Sequence, residues 1–185
     1  MVAIKPVNMS HEEAAAVITG ASTALYFLKK GGIKKGHNVL IYGASGSNGT
    51  FAVQLAKYFG AEITGVCSTT NLELVKSLGA EKVIDYTKED FSEREERYDL
   101  VFDAVGKATK SQCAKVLAPG GKFVTVLKGS FQETNETLIF LKELIEDGKL
   151  KSVIDRSYPF EKMSEAHAYV DLGHKKGNIT ISLGI

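Results

Sequence analysis

The sequence predicts a doubly wound α/β fold, a parallel sheet of about five to six strands with helices on both faces. Short apolar runs, too brief for helices, alternate with longer amphipathic runs along most of the chain. Each strand is therefore separated from the next by a helical segment, the connection that parallel strands require. Glycines fall at the ends of these runs, where strand gives way to turn and helix to loop.

The first element is a helix. Ser10-His11-Glu12-Glu13 is S-x-x-E ahead of the alanine-rich run from Ala14 to Lys30, a capping box in which each side chain satisfies an orphan amide. Gly20 in mid-run predicts a break or a close packing contact, and Gly31-Gly32 ends the segment. Val39-Leu40-Ile41-Tyr42, bounded by Gly43, predicts a strand buried on both faces. Thr50 to Tyr58 is amphipathic and stops at Gly60. The unit then repeats: Ile63 to Cys67 is strand-like, Leu72 to Leu78 helical with Gly79 as its cap, and Lys82 to Asp85 strand-like again.

Residues 88–97 (KEDFSEREER) predict a solvated helix or loop. Asp99 to Asp103 and Lys122 to Leu127 are two more strands, separated by a helical segment around Ser111 to Leu117 that ends in Pro119-Gly120-Gly121. Thr134 to Asp147 is a helix stopped by Gly148. Beyond it, Ser152 to Tyr158 and Ile179 to Leu183 read as strands around a helix from about Ser164 to Val170. The expected organisation is a single domain over 1–185, with a lead-in helix over 1–35, a core over 36–149 and a strand-helix-strand tail over 150–185.

Composition narrows the partners. With 44% hydrophobic and 24% charged residues and 3 prolines in 185, the chain can bury a core. Its 23 basic and 22 acidic residues leave a net charge of +1, so no whole-protein field favours nucleic acid or an anionic membrane. No apolar run reaches the roughly 18 residues of a membrane span. Cys67 and Cys113 lack metal-ligand spacing and predict buried thiols in a reducing cytoplasm, with no metal site. Small molecules and other proteins remain as partners.

Gly43-Ala44-Ser45-Gly46-Ser47-Asn48-Gly49 carries the chemistry. It follows the first sheet strand and opens the next helix. Glycines are needed there for a tight turn, for close approach of backbone to a pyrophosphate, and for packing of helix on strand, while the helix N-terminus presents free amides to an anion. Ser45, Gly46, Ser47, Asn48 and Gly49 are thus candidate dinucleotide-binding residues; a plain tight turn is the alternative. A P-loop would need a lysine after its last glycine, and none occurs before Lys57. A methyltransferase or an NAD-selective site would place a carboxylate at the end of the second strand, where this chain has Cys67-Ser68-Thr69-Thr70-Asn71.

Other candidates are plainer. Asp103 ends a strand on the ligand-binding edge and reads equally as a ligand contact or a strand-end acceptor. His11, His37, His167 and His174 are scattered and read as surface residues, the last within the basic cluster His174-Lys175-Lys176. Tyr26 and Lys30 have Tyr-x-x-x-Lys spacing, but lie upstream of the glycine loop, and the spacing is read as chance. No catalytic residue is assigned.

Val39 to Gly49, Phe51 to Gly60, Leu78-Gly79-Ala80 with Val83 to Tyr86, Phe102 to Gly106, and Pro119 to Lys122 together resemble the medium-chain dehydrogenase/reductase superfamily, in particular its zinc-independent quinone-oxidoreductase-like members. The resemblance covers most of the chain and implies a Rossmann-type cofactor domain. It implies NADP(H), with NAD(H) possible, and hydride transfer to a quinone, enal or related carbonyl as small-molecule substrate. It adds Ser68, Thr69, Asn71, Tyr86, Ala104 and Gly106 to the cofactor-binding residues, and it implies a homodimer paired through a sheet edge.

The departures from that pattern are specific. The family's substrate-binding domain has no counterpart before the first helix, and the step from Leu127-Lys128-Gly129-Ser130 to Leu138 skips a helix and a strand. The sequence therefore supports either an oxidoreductase or an NADPH-binding module or sensor that turns nothing over by itself. Asn48 stands where relatives carry a small apolar residue; its amide reaches a phosphate or marks a decayed site. Asn71 stands where relatives often carry a basic residue, so a preference for NADPH would rest on the hydroxyls of Ser68 and Thr69. Those hydroxyls could instead only cap the following helix.

Overall fold

The fold was obtained as a computed structural model, which describes residues 2–129 and 134–183. Helix α1 (His11–Gly31) begins at Ser10, whose hydroxyl accepts the Glu13 amide at 3.1 Å while the Glu13 carboxylate accepts the Ser10 amide at 2.9 Å. The helix passes through Gly20 without a break. A Cβ on Gly20 would lie 2.8 Å from the Phe51 ring, so the missing side chain is what lets the next helix approach.

Strands β1 (Asn38–Tyr42), β2 (Glu62–Cys67), β3 (Lys82–Asp85), β4 (Tyr98–Asp103) and β5 (Leu117–Thr125) form one parallel sheet in the order β3-β2-β1-β4-β5. Helices α2 (Ser47–Tyr58), α3 (Leu72–Leu78), α4 (Lys110–Val116) and α5 (Asn135–Glu146) join or flank these strands. Strand residues alternate between two apolar layers, as a sheet covered on both faces requires. Val39, Ile41, Leu100 and Phe102 pack with residues of α1, α2, α3 and α5, and Phe27 of α1 stacks on Phe102 with ring centroids 5.6 Å apart. Leu40, Val101 and Ile84 face the other way, onto Cys113 and Val116 of α4.

Two expectations need correction. The charged stretch 88–97 is not wholly solvated: a short 3-10 turn at Phe91–Glu93 buries Phe91, whose ring meets Tyr42 at 5.4 Å. One aromatic residue among charges is enough to anchor it. The Pro119-Gly120-Gly121 break lies inside β5, which starts at Leu117 and absorbs the irregularity as a register shift against Tyr98 and Leu100. The tail does not extend the main sheet: β6 (Ile154–Pro159) and β7 (Asn178–Ser182) pair with each other in parallel around α6 (Met163–Asp171). Residues 130–133, which fall in the connection between β5 and α5, lie outside the described residues. Among the described residues β5 is an edge of the main sheet.

Candidate functional site

The strand order reverses direction between β1 and β4, and open α/β sheets bind ligands at the carboxyl ends of their strands at such a switch point. The candidate residues all emerge there: Ser45 to Gly49 after β1, Ser68 to Asn71 after β2, Tyr86 after β3, and Ala104 and Gly106 after β4. The fold thus collects on one sheet edge residues that lie as far apart in sequence as Ser45 and Gly106, 61 positions.

The three glycines of the loop divide three tasks. Gly43 has φ of +79°, the left-handed region that a side chain disfavours, and turns the chain out of β1. A Cβ on Gly49 would stand 2.1 Å from the Gly43 carbonyl oxygen, so Gly49 lets α2 pack against the turn. Gly46 differs from both. Its backbone is extended, and a Cβ there would meet nothing closer than the Gly43 oxygen at 3.5 Å. The protein itself leaves that position open. Gly46 is also the N-cap of α2 and supplies no side-chain acceptor to the first-turn amides, and that turn holds no acidic residue. An anion is the natural complement of such a helix end.

The walls are built from side chains that bond to one another. Asn71 Nδ2 donates to Ser45 Oγ at 3.2 Å and to Ser68 Oγ at 3.1 Å, joining the loops after β1 and β2. Asn71 Oδ1 is buried without a partner among the described residues. Asn48 Nδ2 donates to the Ala104 carbonyl at 3.4 Å, so its amide joins α2 to the loop after β4. Thr69 donates its hydroxyl to the carboxylate of Asp85, which also accepts the Thr87 amide at 3.0 Å and hydroxyl at 2.7 Å. The Thr69 hydrogen bond, then those from Thr87, and Lys88 at 3.6 Å hold the Asp85 carboxyl down to about 2. Tyr86 beside it is half exposed.

Asp103 resolves toward one of its two readings. Its carboxylate is fully buried and accepts the amides of Val105, Gly106, Lys107 and Ala108 at 2.8 to 3.3 Å and the Thr125 hydroxyl at 3.1 Å. It is an acceptor for its own loop. That loop carries Val105 across the glycine turn, where a Cβ on Gly43 would lie 2.6 Å from Val105 Cγ1. Lys30 lies over the Tyr26 ring at 5.5 Å and donates to the Lys128 carbonyl at 3.2 Å. His11, His167 and His174 are exposed and His37 is half-buried.

Spacing gave no sign of the tail's part in the site. Gly177 forms a parallel bridge with Gly46 and donates its amide to the Ser45 carbonyl at 2.8 Å. Ser47 Oγ donates to the Gly177 carbonyl at 2.8 Å, and Lys175 Nζ donates to both Ser47 Oγ and the Gly177 carbonyl at 2.7 Å. A cleft of about 630 Å³ opens beside them between α1, the start of α2 and β7, lined in part by Thr19, Ser47, Asn48, Asn178 and Thr180.

The fold is shared with known proteins. The family model described as zinc-binding dehydrogenase matches residues 49–167. The chain is 39% identical over 194 residues to a 2-methylene-furan-3-one reductase of Solanum lycopersicum, covering 98% of this chain and 49% of the relative. It is 34% identical over 193 residues to a chloroplastic NADPH-dependent alkenal/one oxidoreductase of Arabidopsis thaliana, covering 98% of this chain and 50% of the relative. The chain therefore spans about half the length of these curated relatives. Among solved structures it resembles a quinone oxidoreductase from Coxiella burnetii, with a TM-score of 0.88 at 28% identity, covering 98% of this chain and 64% of the other. An NAD-dependent alcohol dehydrogenase superimposes with a TM-score of 0.89 at 27% identity, covering 98% and 62%.

The family description names zinc, and the described residues do not fit it. No group of three or more His, Cys, Asp or Glu side chains among them could hold a metal ion. Burial pushes the Cys67 thiol up to about 11 and the Cys113 thiol up to about 12, away from the thiolate that zinc binds. No step is assigned to a metal.

Proposed function

We propose, from the premise that this chain belongs to the zinc-binding dehydrogenase family, that it is the cofactor-binding part of an NAD(P)H-dependent oxidoreductase acting on a quinone, enal or related activated carbonyl. The observation that carries the reading is Gly46: an open Cβ position at the uncapped N-terminus of α2, on the switch point of the sheet. The names of the relatives, reductases and oxidoreductases of enones, alkenals and quinones, support the same substrate class.

The amides that open α2 and the backbone of Ser45 to Gly49 would hold the cofactor diphosphate. Ser68, Thr69, Asn71 and Tyr86 would surround the adenosine ribose, and Ala104 and Gly106 would line the side toward the nicotinamide. NADP(H) is the proposed cofactor because no carboxylate stands at the end of β2, with NAD(H) admitted because no basic residue stands there either. When bound, the reduced cofactor would supply a hydride to the acceptor and be left oxidised, with the balancing proton drawn from solvent. The chain's own task is then to bind and orient it: Asp103 fixes the 104–108 loop, and Asn48 ties that loop to α2. No side chain is assigned as acid or base.

Titration of the purified chain with NADPH, followed by nicotinamide fluorescence and then by NADPH consumption across a panel of quinones and enals, tests the proposal. Binding with turnover is the expected result. Binding without turnover would favour the module or sensor reading for this chain, and failure to bind NADPH or NADH would overturn both.

A homodimer in the cytoplasm completes the reading. The edge position of β5 supports pairing between copies, and the free, buried Cys67 and Cys113 suit a reducing compartment. No helix among the described residues is long and apolar enough to cross a membrane. Light scattering is expected to give twice the 20.0 kDa chain mass; a monomer at micromolar concentration would contradict the dimer.

A further inference from the structure

The carboxylate that the end of β2 lacks is supplied from the neighbouring strand. Asp85, the last residue of β3, is the register partner of Cys67, the last residue of β2. Adjacent strands lie about 4.8 Å apart, so Asp85 stands one strand spacing from the position at which an NAD-selective site carries its acid. Its side chain is 8% exposed and turns to the loop after β2, where its oxygens accept the hydroxyls of Thr69 and Thr87 and the Thr87 amide. Those bonds keep it ionised at neutral pH. Lys88 pairs with it at 3.6 Å, but the lysine side chain is 67% exposed and solvent screens the pair, so the charge is offset only in part.

Two consequences meet at the adenosine ribose. A carboxylate repels a 2′-phosphate and not a 2′-hydroxyl. A hydroxyl also has a single proton to give, and Thr69 and Thr87 both give theirs to Asp85. Thr69 therefore turns lone pairs to the ribose, which a 2′-hydroxyl can meet with its proton and a phosphate dianion cannot. Asn71 adds to the same polarity, because its Nδ2 protons go to Ser45 and Ser68. We propose that Asp85 is a specificity-determining residue that acts from behind Thr69, restraining the preference for NADPH and keeping NADH competitive. The inference rests on the reading of the loops after β2 and β3 as the adenosine end of a dinucleotide site. Asp85 touches no ligand in it; it acts through its charge and through the proton it takes from Thr69.

The test compares dissociation constants for NADPH and NADH, at one salt concentration, in the parent chain and in its Asp85→Asn and Asp85→Glu variants. Asp85→Asn removes the charge, and its amide can donate to Thr69 and free that proton for a phosphate. The ratio of the NADH to the NADPH dissociation constant is expected to rise roughly fivefold in Asp85→Asn and to stay within about twofold of the parent in Asp85→Glu, which keeps the charge. A purely structural role would weaken both cofactors together and leave the ratio unmoved. Melting temperatures are followed in parallel; if Asp85→Asn melts early, Asp85→Ser, neutral and still able to donate, takes its place with the same expected rise. An unchanged or lower ratio in the neutral variant, in a parent that binds both cofactors, would overturn this inference alone. An equal rise in Asp85→Glu would also overturn it, by showing an effect of shape and not of charge. If the parent binds neither NADPH nor NADH, the dinucleotide reading itself fails, and this inference with it.

Discussion

The carboxylate of Asp103 accepts the backbone amide of Gly106 at 2.8 Å from a position with no solvent exposure. The same two oxygens satisfy three further amides and the Thr125 hydroxyl, so one strand-end side chain organises the whole turn after β4. Nothing in that arrangement leaves the carboxylate free to act on a ligand. Its effect on the site passes through the loop, which sets Val105 against Gly43 and offers the Ala104 carbonyl to Asn48.

Asp103→Ala should therefore behave as a folding defect. Removing one acceptor from several partly buried donors is expected to cost about 3 kcal/mol, and Asp103→Asn, which keeps one carbonyl oxygen, should cost less. Urea denaturation checks both; an unchanged midpoint for Asp103→Ala would show that the loop holds itself.

The loop glycines should separate by assay. Gly49→Ala forces a methyl group against the Gly43 carbonyl and is expected to destabilise the fold by about 3 kcal/mol. Gly46→Val, in extended backbone with space beside it, should leave the melting temperature near that of the parent and abolish NADPH binding. Thermal melts with parallel NADPH titrations distinguish the two; a Gly46→Val chain that binds like the parent removes Gly46 from the site.

Acid sensitivity should trace to Asp85. Its carboxyl is held near 2 in the fold, against 3.8 as the ordinary value, first by the Thr69 hydroxyl. A depressed folded value means that the stabilisation is full above pH ~4 and disappears as the pH falls from ~4 to ~2. Asp85→Asn is expected to flatten that part of the stability curve. Chemical denaturation at stepped pH measures it, and parallel curves for the two proteins would exclude Asp85 as the source.

Cofactor choice should be mild and adjustable. Thr69 donates to Asp85, and Asn71 donates to Ser45 and Ser68, so the groups around the ribose are neutral and already engaged. NADPH is expected to bind more tightly than NADH by roughly tenfold at most, because neutral hydrogen bonds to a phosphate are about half as strong as charged ones. Asn71→Lys should widen the ratio by about tenfold more. Dissociation constants at one salt concentration decide it: tighter NADH in the parent contradicts the expectation, as does an unchanged ratio in Asn71→Lys.

The sequence alone determined everything whose cause is local. A capping box at Ser10 and Glu13, apolar runs such as Val39 to Tyr42, and a glycine loop between a strand and a helix depend on neighbours within a few positions, and each formed where its spacing placed it. The order of those elements was enough for a parallel doubly wound sheet, because helical crossovers permit little else. Tertiary structure decided what each polar side chain does. Asp103 could be a ligand contact or a loop acceptor until the amides of Val105 to Ala108 turned back on it, and Thr69 had a free hydroxyl on paper until β3 brought Asp85 beside it. Lys175 read as one charge in a surface run until the tail crossed the glycine loop. Hydrogen bonds and ion pairs act over a few ångströms of space and are indifferent to separation along the chain, so their partners are set only when the strands take their register and the tail finds its seat.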